Sequence, residues 1–128
     1  LKDSYVTNFV VFLLQREAAQ ASPYVKRWIR ELRKIKHAHA ALLFGSVLRK
    51  HAQAKDVDVL FVTDSKRFKK LQQEIAELNS INEKKIHVLF QTKQDVTQNI
   101  KTGDKPLLNA LAGIVAFGEK TIVGLLTR

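Results

Sequence analysis

The sequence predicts an α/β fold: a small mixed β-sheet with helices on one main face, preceded by an N-terminal helical segment. Three observations predict it. Short apolar runs of strand length fall at residues 40–44, 56–62, 85–90 and 113–118. The stretches between them carry apolar residues at helical spacing, as in Leu71, Ile75 and Leu78. Helix start and stop signals stand at the junctions, among them Ser22-Pro23, Thr92 with Asp95, and Gly103.

Residues 4–16 read as a helix that is apolar over much of its surface, so it calls for cover on more than one side, from a further domain or a second subunit. Ser22 as N-cap and Pro23 at the first helical position open a second helix, to about Ile35. Its apolar face holds Val25, Trp28, Ile29, Leu32 and Ile35, which places Trp28 in the core. The other face holds Lys26, Arg27, Arg30, Arg33 and Lys34, followed by Lys36. This basic stripe is either a solvated face or a contact to a phosphate backbone, with Arg27, Arg30, Arg33 and Lys34 as its candidates. The strand at 40–44 stops at Gly45-Ser46, and residues 47–52, without a breaker, read as a short helix. The strand at 56–62 follows. Asp64-Ser65 supplies a cap for a helix to about Asn79, with Phe68, Leu71, Ile75 and Leu78 inward. Lys66, Arg67, Lys69 and Lys70 crowd its first turn, the wrong end for the helix dipole. The strand at 85–90 comes next, and strand–helix–strand order implies a right-handed parallel crossover. Thr92 and Asp95 have capping-box spacing for a helix that ends near Gly103. Asp104-Lys105-Pro106 opens another, to about Ala112, before the last short strand at 113–118.

The chemistry-bearing residues lie between the first two strands. Asp is depleted in strands, yet Asp56 and Asp58 head an apolar one. Alternate strand residues share a face, so the two carboxylates project together, about 7 Å apart along the chain by strand rise. Like charges side by side repel, and a divalent cation relieves that repulsion; paired oxygen ligands suit Mg²⁺ or Mn²⁺. The competing reading is two solvated Asp residues that close a loop. Just upstream, strand, Gly45-Ser46 and helix start make a place where phosphate can approach the backbone. Gly removes the Cβ, Ser offers a hydroxyl, and free N–H groups point at the anion. A phosphate cradle beside metal ligands is the minimum equipment for phosphoryl or nucleotidyl transfer.

Leu43-Phe44-Gly45-Ser46, nine residues, then Asp56-Val57-Asp58-Val59-Leu60 is a recognisable order. On these residues the chain resembles the nucleotidyltransferase fold of the DNA polymerase beta superfamily, and most of all its minimal nucleotidyltransferase branch. The resemblance covers about two-thirds of the chain, residues 40–123. It implies that Gly45, Ser46 and the basic Arg49 hold the triphosphate of an NTP, and that Asp56 and Asp58 bind catalytic Mg²⁺ or Mn²⁺. An NMP would pass from the NTP to an acceptor hydroxyl. It divides the chain into an N-terminal helical segment, 1–36, and a nucleotidyltransferase-like domain, 37–128. The chain departs from the family at two places. Active members carry a third carboxylate on the next strand, where this chain has His87. Three readings of His87 stand: a substitute base or ligand, the mark of a one-metal or non-catalytic site, or a structural His with the third ligand elsewhere. Lys55 stands where members often have a small residue. The alternative function is therefore a catalytically impaired module that binds nucleotide or nucleic acid, or an antitoxin-type partner protein on the same fold.

Composition sets the remaining bounds. There is no Cys, which excludes a disulfide framework, thiolate metal sites and a catalytic thiol, and suits a cytoplasmic location. The longest apolar run, residues 9–14, is far short of a membrane span, so no membrane partner is expected. Lys and Arg number 22 against 12 Asp and Glu, for a net charge of +10. That balance attracts polyanions: a nucleic acid or an acidic partner protein. The chain begins at Leu1 and has no Met, as expected of a piece of a longer protein. A homo-oligomer also stays open.

Overall fold

The strands at the centre of the fold are apolar without alternation, and that decides where the helices go. Ala40, Ala41, Leu42 and Leu43, then Val59, Leu60, Phe61 and Val62, are all buried. A strand buried on both faces needs cover on both faces. The computed structural model describes residues 2–127. In order it has α1 (Lys2–Ala19), α2 (Pro23–Leu32), β1 (Ala40–Phe44), α3 (Val47–Lys50), β2 (Val57–Val62), α4 (Phe68–Ile81), β3 (Ile86–Gln91), α5 (Lys93–Thr102), α6 (Lys105–Leu111), β4 (Ile114–Phe117) and α7 (Glu119–Leu126). The sheet order is β3-β2-β1-β4. β2 and β3 are parallel, as the crossover requires, while β1 is antiparallel to both β2 and β4.

Helices cover both faces, which corrects the expectation of one main face. Trp28, Ile29 and Leu32 of α2 and Leu71, Ile75 and Leu78 of α4 pack on one side with Ala41, Leu43, Val59 and Phe61. Val96 of α5, Leu107 of α6 and Ile122 of α7 pack on the other with Ala40, Leu42, Leu60 and Val62. Trp28 is core. Arg33 donates from Nε to the Ala116 carbonyl at 2.9 Å, so α2 also engages the edge strand β4.

The caps form largely as the sequence predicts. Ser22 Oγ accepts from the Val25 N–H, Asp104 from the Leu107 N–H, and Thr92 with Asp95 closes a complete capping box. Three expectations are corrected. The helix after Gly45-Ser46 is one turn, α3, followed by a 3₁₀ turn, and His51 sits at φ +51 between them. Helix α2 ends at Leu32, although Ile35 is still buried. Helix α4 starts at Phe68 without a side-chain cap. Asp64 instead accepts from the Arg67 N–H at 3.0 Å and pairs with the Arg67 guanidinium and His39, which offsets part of the basic crowding there.

Two carboxylates tie the linker that enters β1 to the rest of the fold. Glu74 accepts from the N–H groups of Lys36 (2.8 Å) and His37 (3.0 Å) and pairs with the His37 ring (2.9 Å). Burial opposes its ionisation, yet these bonds hold its pKa below the ordinary 4.5. Desolvation also opposes Asp64, but its bonds to His39 and Arg67 pull it from 3.8 to about 2. Both groups are more acidic folded than unfolded. Their contribution is complete above the ordinary carboxylate pKa and is lost as pH falls through each folded value. Urea midpoints should therefore be level above about pH 5 and fall on acidification. Glu74→Gln should flatten the upper part of that fall and Asp64→Asn the lower part, toward pH 2. Parallel curves for wild type and variants would show that these bonds do not govern acid stability.

Candidate active site

The site is built where β1 runs out. The chain turns sharply at Gly45, with φ +80, a conformation that side chains with a Cβ rarely adopt. A Cβ there would collide with Asp58 Oδ2 and lie 3.2 Å from Asp58 Cγ. The missing side chain therefore lets the Asp58 carboxylate rest against the backbone of the turn. Sheet register explains the meeting. Asp58 has Phe44 as its Cα partner on one side and His87 on the other. Period-two alternation puts all three on the face that holds Leu42, Leu60 and Leu89.

His87 Nδ1 lies 2.9 Å from Asp58 Oδ1. The His87 side chain is 76% exposed and that of Asp58 25% exposed. His87 is thus no buried structural residue; it stands at the open edge of the sheet in direct contact with the carboxylate. Asp56 lies in the bend before β2, which begins at Val57 and not at Asp56 as the run of residues predicts. Asp56 is exposed. The segment that carries it is pinned by the Lys84 ammonium on the Ala54 carbonyl (2.6 Å) and by the Val57 N–H on the Lys85 carbonyl (3.1 Å).

Two clefts open on Asp58. One, of about 620 Å³, is lined by Phe44, Gly45, Arg49 and Asp58, with Asn109 and Gly113 opposite. The other, of about 320 Å³, runs from Asp58 and His87 to Pro106 and Asn109. The structure thus gathers Gly45, Arg49, Asp58 and His87. Ser46 is next to Gly45 and its side chain makes no capping bond. Helix α6 is the wall that sequence reasoning missed. Pro106 and Asn109 stand at helical spacing (i, i+3) on α6, which was the available signal, and Gly113 follows just past the end of the helix. Gly113 lets the wall close in, since a Cβ there would lie 2.8 Å from Phe44 Cβ.

The basic stripe of α2 is not part of this site, and its two edges meet different neighbours. Arg30 and Arg33 line a separate groove of about 710 Å³ with Lys26, Gln15 and Phe117. At the other edge Arg27 reaches Asn82, and Lys34 pairs with Glu31. His37 and His39 bond Glu74 and Asp64 and form no metal pair.

A Mg²⁺-type ion takes one or two protein carboxylates and completes its shell with substrate phosphate and water. Asp58 could supply one such carboxylate; Asp56, two residues earlier in the exposed bend, lines neither cleft and would have to supply the second from outside them. Among the described residues no group of three or more His, Asp or Glu side chains could hold a metal alone. The position of the third carboxylate carries an imidazole already bonded to Asp58. With so few protein donors, an ion here would have to complete its shell with substrate oxygen and water. Among the described residues, no helix is long and apolar enough to cross a membrane.

A family model for the nucleotidyltransferase domain matches residues 25–105. The match takes in most of α2, the turn at Gly45, Asp56, Asp58 and His87. No curated protein and no solved structure matches the chain.

Proposed function

The chain belongs to the nucleotidyltransferase domain family, and on that premise we propose that it transfers an NMP from an NTP to an acceptor hydroxyl with one divalent ion, Mg²⁺ or Mn²⁺. The observation that carries the reading is the contact between the Gly45 turn and the Asp58 carboxylate. That contact supports the reading because phosphate on the turn would then lie beside a cation on the carboxylate. The triphosphate lies in the cleft beside Arg49, with the Gly45-Ser46 backbone and the Ser46 hydroxyl as donors. Asp58, with Asp56, would hold the ion, which would supply charge neutralisation for the departing pyrophosphate. The acceptor oxygen attacks the α-phosphorus, the Pα–O bond to the β-phosphate breaks, and pyrophosphate leaves. His87 takes the hydroxyl proton, and Asp58 orients its ring. The rest of the rate comes from holding the reactants in line.

A second reading rests on a specific observation. His87 occupies the third-carboxylate position and bonds Asp58, as a site that binds nucleotide without turnover would have it. Calorimetric titration with the four NTPs, in Mg²⁺ and then Mn²⁺, tests the shared premise. Metal-dependent binding is expected. Its absence with either metal, in folded protein, rejects both readings of the nucleotide site. His87→Asp separates the two. A chain impaired by loss of the carboxylate gains Mg²⁺ affinity and turnover, whereas one that uses His87 as base loses turnover.

A further inference from the structure

We infer that α1 pairs antiparallel with α1 of a second copy of this chain, about a two-fold axis through Phe9. The apolar residues of this helix divide into two faces. Thr7, Val10, Val11, Leu14 and Ala18 are partly or fully buried and turn toward the body of the fold. Tyr5, Val6, Phe9, Phe12 and Leu13 are between 44% and 78% exposed, among the largest exposed apolar side chains described. At about 100° per residue they form a stripe roughly 120° wide on the side away from the core.

The arrangement of that stripe meets the requirement of a two-fold pair. Its members lie four and three residues before Phe9 and three and four after it. A two-fold interface uses the same patch twice and must be self-complementary. Antiparallel pairing centred on Phe9 sets Tyr5 against the second copy's Leu13, Val6 against its Phe12, and Phe9 against itself.

Charge points the same way. Residues 4–15 carry no charged side chain, in a chain that is 27% charged with a net charge of +10. Two copies repel each other at long range, so they can approach only through a neutral face. An acidic partner would instead select a cationic one. The area is also sufficient. Three aromatic and two aliphatic side chains, exposed to this degree, bury on the order of 500 Å² per copy. Doubled, that reaches the roughly 1,000 Å² at which an interface becomes specific.

Sedimentation equilibrium at about 0.1 mM, above the micromolar dissociation constants such interfaces reach, tests this. The expected mass is twice 14.6 kDa, returning to 14.6 kDa in Phe9→Asp with unchanged circular dichroism. Raising the salt should strengthen the wild-type dimer, because repulsion between the copies is screened. A monomeric wild type, or a dimer indifferent to Phe9→Asp, overturns the inference, and the stripe then belongs to another partner. Since the chain has no Cys, single cysteines report the geometry. Phe9→Cys should cross-link to itself under mild oxidation. Leu13→Cys should not, since its copies would sit about 12 Å apart along the axis, beyond disulfide reach, but it should cross-link with Tyr5→Cys. Self-linking of Leu13→Cys would establish a parallel pair and sink the two-fold arrangement.

Discussion

Asp58→Ala should cut nucleotidyl transfer by at least about 10²–10³-fold, the usual cost of losing one pre-organised charged group, and leave the fold as stable as before. The two halves have separate causes. Among the described residues, Asp58 is the carboxylate that faces both the turn at Gly45 and the imidazole of His87. Without it the ion has only exposed Asp56, and His87 loses the group that orients it. The structure loses little. The Asp58–His87 bond is largely solvated, so its loss costs about 0.5–1.5 kcal/mol. Against that, a strand position gives up a residue type it disfavours by up to about 1 kcal/mol, and the repulsion from Asp56 disappears. Asp58→Asn keeps the shape and removes the charge, so it should be as inactive as Asp58→Ala. Asp56→Ala should raise the Mg²⁺ concentration for half-maximal transfer more than it lowers the limiting rate. Single-turnover transfer from a labelled NTP, with urea melts on the same samples, measures all of this. Transfer within a few-fold of wild type in Asp58→Asn would remove Asp58 from the reaction.

The parts of this fold that were legible in the sequence are those fixed by short-range chemistry. Ser22, Thr92 and Asp104 cap helices because their side chains reach an N–H three residues on, a local geometry. Gly45-Ser46 and Asp58 were legible as a pair because the chain must return along β1's neighbour within nine residues. What was not legible depends on packing. The unbroken run Val59–Val62 carried the signal for helices on both faces, but only when weighed as a doubly buried strand. Helix α7 went unrecognised because it follows β4 after a single Gly and has no N-cap side chain. The α2 stripe is continuous at 100° per residue, about 120° wide, but its two edges meet different neighbours: Lys26, Arg30 and Arg33 border a groove, while Arg27 reaches Asn82. Which neighbours those are depends on packing. Asn109 could not be placed, because α6 meets the site only through the sheet order that sets β4 beside β1.

Gly45→Ala should lose metal-dependent NTP binding and also destabilise the fold, by about 2–3 kcal/mol, from backbone and steric terms together. The backbone term arises because φ +80 is left-handed, which costs a residue with a Cβ about 1–2 kcal/mol. The steric term arises because the new methyl would occupy the space of Asp58 Oδ2. The chain can relieve it by rotating the Asp58 carboxylate away, which dismantles the site, or by opening the turn, which strains β1. Either way the phosphate and cation positions part. For a domain of this size each kcal/mol corresponds to about 3–6 °C in Tm, so the loss is readily measured. A double-mutant cycle isolates the contact. Asp58→Ala is nearly neutral alone, and in its background the Gly45→Ala methyl no longer meets the carboxylate. The cost of Gly45→Ala should then fall to the backbone term, with a coupling of about 1–2 kcal/mol between the two positions. A cost that stays the same in both backgrounds would mean that the turn and the carboxylate are held independently. The site would then be two neighbouring features that share a strand end, and the Gly45–Asp58 contact would no longer support nucleotidyl transfer.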